Sequence, residues 1–296
     1  MYEYVLLAPL QLTSFRLFIP EPIYRALFLK NLDYELVSYG VFFKNKPVGV
    51  CLARLNPNLH TLEFLHLEVQ ETHRRQGLGK SLVASIQKEA VKKEAVTLTF
   101  IYEHDSPHSV AIEKIFKANQ WQGIRPFLIR AVFHLETFNA PLIHLKYRSS
   151  PDYKEFLWKD LSKSQRENLL FREKEGHFSH VFSPFQEEQN IEFLNSLGIQ
   201  YHDRVVGWLI THRLDSDTIR YSSLYIEPSL KFRSHAMKLL ADSINLHKKN
   251  PTKWAVIEIP YLYVHSSWIH FIKKRLLPSA VKVTHLWQGW NTLSTN

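Results

Sequence analysis

A chain of 296 residues can hold one large or two medium domains, and a hydrophobic content of 45% permits a sizeable core. The single cysteine, Cys51, excludes an internal disulfide, and the 16 histidines form no cluster at structural zinc spacing, so no metal site is expected. A formal charge of +9 favours anionic ligands, yet Lys92-Lys93, Lys248-Lys249 and Lys273-Lys274-Arg275 are short and scattered. They fit a solvated surface or a phosphate-bearing cofactor better than a nucleic-acid stripe.

The opening stretch, MYEYVLLAPLQLTSF, places Glu3 where a secretory signal would place positive charge. No apolar run approaches the roughly 18 to 20 residues of a membrane span. A cytoplasmic protein with no membrane partner is therefore expected. Residues 36–55, LVSYGVFFKNKPVGVCLARL, predict two strands joined by a turn at Lys44-Asn45-Lys46-Pro47. Residues 61–69, TLEFLHLEV, predict another strand through Leu62, Phe64, Leu65, Leu67 and Val69.

Residues 73–83, HRRQGLGKSLV, follow it, and Leu82, Val83, Ile86 and Ala90 then recur at helical spacing. Gly77 and Gly79 thus mark a strand-to-helix turn in a chain with only 9 glycines. Glycine permits positive φ and close approach of a ligand. The first amides of a helix lack internal partners and sit at the positive end of its dipole, which suits a phosphate. Arg74, Arg75 and Lys80 add formal charge at the same place. Neither G-x-x-x-x-G-K-[ST] nor G-x-G-x-x-G is present. Further on, AVTLTFIY predicts a strand, and after His104 to Pro107 comes a helix over HSVAIEKIFKANQW.

Arg74-Arg75-Gln76-Gly77-Leu78-Gly79 resembles the [RQ]-x-x-G-x-[GA] signature of the GNAT superfamily of acyl-CoA-dependent N-acyltransferases, filling every specified place. The resemblance implies an α/β (α+β) fold with a mixed, mostly antiparallel twisted sheet flanked by helices. It also implies acetyl-CoA or coenzyme A as cofactor. Backbone amides from Arg75, Gln76, Gly77, Leu78, Gly79 and Lys80 would hold the pyrophosphate, and backbone groups near Leu67 and Val69 would pair with the pantetheine arm.

Four anchors recur later in the same order. Gly40 and Val48-Gly49 return 158 positions on as Gly198 and Val206-Gly207. The turn returns as Lys231-Phe232-Arg233-Ser234-His235-Ala236, and HSVAI returns as HSSWI from His265. Such spacing indicates an internal repeat: two GNAT-like domains in tandem, over 1–138 and 139–296, with a seam near ETFNAP at 136–141. In the second copy the glycines become Ser234 and Ala236, so that copy is expected to bind coenzyme A poorly or not at all. Scaffolding, or one wall of the substrate pocket, is its expected work.

By this resemblance the expected activity is transfer of an acetyl group from acetyl-CoA to an amine acceptor of unspecified identity. A lysine-like amine with a pKa of about 10.4 is free in only about 1 in 2,500 molecules at pH 7, so a base or water relay is useful. Glu63 lies where some members carry a general-base glutamate. His66 and Glu68 are further candidates, on the opposite face by strand alternation unless a bulge re-aims them. Tyr102, Glu103 and His104 end the fifth strand, where the family's pocket opens. The family's thiolate-protonating tyrosine falls on Phe116, its asparagine slot on Ser109, and its glycine-aromatic pair on Gln120-Trp121; the second copy has Lys273 in the tyrosine slot. Phe116 cannot donate a proton, so either the thiolate leaves unassisted or another group serves. Two other readings stand beside the enzyme: a non-catalytic acyl-CoA-binding or partner-binding protein, and an aminoacyl-transfer or nucleic-acid role, which the absence of an aromatic-interleaved basic stripe disfavours. A tandem pair can imitate a dimer within one chain, so monomer and homodimer are both open.

Overall fold

The computed structural model describes residues 1–27, 34–147, 150–228, 234–262 and 264–293. It divides into two compact units, Met1–Phe127 with His285–Asn296, and Leu128–Thr284. In the first unit the chain runs through β1 (Tyr2–Leu6), α1 (Glu21–Leu27), β2 (Glu35–Phe43), β3 (Lys46–Asn56), β4 (Thr61–Val69), α2 (Leu78–Lys92), β5 (Thr97–Glu103) and α3 (Ser109–Ala118). Strand β6 (Gly123–His134) begins there and ends in the second unit. That unit continues with β7 (Tyr153–Leu157), α4 (Lys163–Lys174), β8 (Leu197–Tyr201), β9 (Arg204–Arg213), β10 (Thr218–Ile226), α5 (Ser234–His247), β11 (Trp254–Pro260) and α6 (Ser266–Arg275). The last strand, β12 (Lys282–Thr292), begins in the second unit and ends in the first, while the 136–141 segment falls inside the second.

In the first unit the strands run β1-β2-β3-β4-β5-β12, with β4–β5 the parallel pair. In the second they run β7-β8-β9-β10-β11-β6, with β10–β11 parallel. Each unit is thus a mixed, mostly antiparallel sheet. The β2–β3 connection places Lys44 and Asn45 at φ 51° and 61°, the mirror-image turn whose twist suits a two-residue hairpin.

The apolar stripe of α2, Leu78, Leu82, Ile86 and Ala90, packs on the face of the sheet that carries Leu62, Phe64 and Leu98. The opposite face carries Val50 and Leu52 and is covered by Leu12, Phe15 and Ile19. Leu82 is fully buried, and truncating it to alanine is expected to cost about 2–5 kcal/mol. The repeat is physical as well as sequential. A Cβ on Gly49 would meet the Glu68 carbonyl at 3.1 Å, and one on Gly207 would meet the Tyr225 carbonyl at 2.7 Å. Each glycine lets two neighbouring strands close at the same point of its sheet.

In both units the parallel pair stops short. Pairing of β4 with β5 runs from Thr61↔Thr97 to Phe64↔Phe100, and that of β10 with β11 from Thr218↔Trp254 to Tyr221↔Ile257. The strands themselves continue, so among the described residues the backbone groups of Leu65–Val69 have no partner strand on the β5 side. A bulge follows at the same place in each copy, at Leu65 and at Ser222.

Candidate functional site

The turn before α2 is built from two left-handed residues, Arg75 at φ 62° and Gly77 at φ 80°. Gly77 is the helix N-cap, no side chain caps the helix, and a Cβ there would meet nothing within 4 Å. The glycine therefore serves conformation and leaves open space above the first amides of α2. Gly79 serves packing: a Cβ on it would lie 3.0 Å from Ile115 Cδ1 of α3 and 3.8 Å from Leu67 Cδ2 of β4. At this point β4, α2 and α3 converge, and Leu67, Val69, Leu78 and Ile115 share one apolar cluster.

Arg74 turns back on β4, donating from Nε to the Val69 carbonyl at 2.9 Å and from Nη2 to Glu68 Oε1 at 2.8 Å. Gln76 accepts from the Tyr2 hydroxyl at 2.6 Å, and Tyr2 also reaches His73 Nδ1 at 2.8 Å. These bonds brace the turn. Arg75 and Lys80 are exposed and supply its outward positive charge. The partnership of Tyr2 with residues more than 70 positions away has no sequence signal.

The bulge at Leu65 decides the fate of the candidate bases. Register pairs Arg54 with Glu63, Leu52 with His66 and Val50 with Glu68. All three candidates therefore lie on one face, the one lined by Val50 and Leu52, and simple alternation is broken as a bulge predicts. Glu63 Oε2 receives both Arg54 Nε at 2.8 Å and Nη2 at 2.6 Å. Glu68 holds Arg74. His66 Nε2 lies 2.7 Å from the Phe18 carbonyl, which can only accept, so Nε2 carries the proton and Nδ1 is the basic nitrogen. Burial lowers the pKa of His66, against smaller opposing effects of that bond and of Glu68.

Ser109 opens α3 and donates to the Ser106 carbonyl at 2.9 Å. Phe116 is 1% exposed, stacked on Trp121 at 4.5 Å and in edge contact with Phe100 at 5.2 Å. It is a core ring. Gln120 stands at φ 60°, so the backbone keeps the left-handed turn where the family pattern has glycine. Tyr102 donates to Glu113 Oε1 at 2.8 Å, and burial, followed by that carboxylate, raises its pKa. His104 stacks on Trp287 at 3.8 Å.

In the second unit Ser234 begins α5 and Ala236 follows in its first turn; Lys231, Phe232 and Arg233 lie outside the described residues. His265 caps α6 by accepting from the Ser267 amide at 3.2 Å, where the equivalent His108 makes no side-chain cap on α3. Lys273 lies over the Tyr261 ring at 5.8 Å. Among the described residues no helix is long and apolar enough to cross a membrane.

Residues 6–113 match the model of the acetyltransferase (GNAT) family. A sequence search of curated proteins finds no match. Among solved structures, a tandem GNAT protein from the clavulanic acid biosynthesis pathway aligns with a TM-score of 0.65 at 14% identity, over 99% of this chain and 100% of that one. A GCN5-related N-acetyltransferase from Sphaerobacter thermophilus aligns at 0.67 and 12% identity, over 100% and 97%. At such identities the likeness establishes the fold. Residues 6–113 match the acetyltransferase (GNAT) family model, and the chain as a whole carries the fold of the tandem GNAT proteins.

Proposed function

We propose that the protein is an acyl-CoA-dependent N-acyltransferase that moves an acetyl group from acetyl-CoA to an amine, with the cofactor held by the first unit. The observation that carries this reading is the uncapped N terminus of α2 behind Gly77, with open space where a side chain would stand. Amides of Leu78, Gly79 and Lys80 would face the pyrophosphate, with Arg75 and Lys80 adding charge, and the unpaired edge of β4 beyond Phe64 would meet the amides of the pantetheine arm. When bound, the cofactor supplies an activated thioester.

The acceptor's proton is best assigned to His66. Glu63 and Glu68 each hold an arginine, and proton uptake by either would remove the charge that pairs with that arginine. His66 is neutral at pH 7, and the Phe18 carbonyl fixes its tautomer with Nδ1 basic. Phe116 offers no proton, so the thiolate, with a pKa near 8.5, leaves without a tyrosine's help.

Steady-state kinetics over a panel of primary amines tests this assignment. His66→Gln is expected to lower kcat by roughly 10²–10⁴-fold, and Glu63→Gln to change it far less. A large loss in Glu63→Gln with little in His66→Gln would move the base to Glu63. Burial of Phe116 favours a second reading, a protein that binds acyl-CoA without transferring it. Tight binding with no turnover of any amine would establish that reading.

A further inference from the structure

The second unit holds a cleft where its parallel strands part, and its polar mouth is unlike the corresponding part of the first unit. One compartment has a cavity volume of about 100 Å³ and is walled by Leu209, Leu224, Ile257, Trp268 and Ile272. A second, of about 190 Å³, shares Val181, Ser222, Ser223 and Glu258 with it and adds His212, Arg220 and Gln186. The apolar compartment thus opens directly onto a polar one.

Ser222 stands between them. It is the extra residue of the β10 bulge, between Tyr221↔Thr211 and Ser223↔Ile210, and it is exposed to the cleft. Its Oγ lies 2.7 Å from His212 Nδ1. His212 Nε2 lies 2.8 Å from the Gln186 carbonyl, so Nε2 carries the ring proton and Nδ1 accepts from the serine hydroxyl. Burial lowers the pKa of His212, and the imidazole is neutral at pH 7. Arg220 Nε donates to the same Oγ at 2.9 Å, while its Nη2 is held by Glu187 at 2.7 Å.

The arrangement has the parts of an activated nucleophile: a hydroxyl within hydrogen-bond reach of a base, a base oriented by a third group, and a guanidinium that donates to the nucleophilic oxygen. It is specific to this unit. The Arg54–Glu63 cross-strand pair of the first unit is replaced by His212–Arg220, and the apolar bulge residue Leu65 by Ser222. The asymmetry of the two copies is therefore a gain of polar machinery as well as a loss of the glycine turn.

We propose that Ser222 is a nucleophile that cleaves carboxylic esters with an apolar acyl group. Ser222 Oγ attacks the ester carbonyl, its proton passes to His212 Nδ1, and the bond to the leaving oxygen breaks as that proton is delivered to it. An acyl-Ser222 ester remains, with its chain in the apolar compartment. Water then attacks this ester, His212 takes the water's proton and returns it to Ser222, and the free acid leaves. Ester and water become acid and alcohol, with no redox change and no further co-reactant. The proposal rests on the second unit alone and does not depend on the acyl-CoA reading of the first.

The full chain is incubated with a fluorophosphonate probe and mapped by peptide mass spectrometry, and p-nitrophenyl hexanoate hydrolysis is followed in parallel. The expected result is a single adduct on Ser222 and hydrolysis that falls to background in Ser222→Ala. Because Ser222 is exposed, the variant keeps its fold, which thermal melting checks. His212→Gln is expected to lower hydrolysis by roughly 10²–10⁴-fold. No adduct on the wild-type chain, an adduct on another residue, or equal hydrolysis by Ser222→Ala would overturn the proposal.

Discussion

At the scale of single residues, conformation and charge separate roles that composition cannot. Gly77 is left-handed, so a side chain there pays steric strain of about 1–2 kcal/mol as well as intruding on the amides behind it. His66 yields a pH prediction. Burial sets its pKa below the usual 6.5, and a base must be unprotonated to act. The acid limb of kcat/KM should therefore fall below pH 6.5, and a limb above 7 would contradict His66 as the base. Much of the turn was legible in the residues, because the signature, the glycine pair and the arginines lie together in the chain. The brace from Tyr2 to Gln76 and the bond from His66 to Phe18 were not, since neither partner is local and no periodicity points to it.

At the scale of elements, the strand pattern of 61–69 appears in the structure over the residues expected, Thr61–Val69. Which face its carboxylates occupy depends on one extra residue, and alternation alone cannot place a bulge. The end of β10 shows what holds the second sheet to α4. Glu227 is 8% exposed and pairs with Arg172, 7% exposed, and with the more open Arg204. Arg172 also donates to the Val205 carbonyl at 2.7 Å. Removing the shared carboxylate strands a buried guanidinium, so Glu227→Ala is expected to lower stability by about 3–5 kcal/mol in urea denaturation. Arg204→Ala, at an exposed side chain, should lower it by less than about 1 kcal/mol. Equal effects of the two changes would contradict this division.

At the scale of the whole molecule, the tandem repeat is written in sequence anchors, whereas the strand exchange is not. β6 and β12 are both alternating, aromatic-bearing runs, and nothing local says which sheet each joins. The second unit also carries a buried polar network that couples stability to pH. His247, 0% exposed, meets the Tyr221 hydroxyl at 3.1 Å and Thr252 Oγ1 at 2.9 Å, and burial pushes its pKa down to about 4. Between the usual 6.5 and this value the unfolded chain binds the extra proton. Stability is thus complete above pH 6.5, falls as pH drops through the interval, and levels off below 4, a loss of about 3 kcal/mol. His247→Gln should flatten the pH dependence measured by denaturant titration, and an unchanged slope would place it elsewhere.

The most direct measurement is a calorimetric titration of acetyl-CoA into the full chain, alongside Gly77→Val and Ser234→Val. The account predicts one site per chain, weakened at least tenfold in Kd by Gly77→Val, about 1.4 kcal/mol, and unchanged in Ser234→Val. No binding at millimolar concentration, or a Kd that Gly77→Val leaves unchanged, would contradict it.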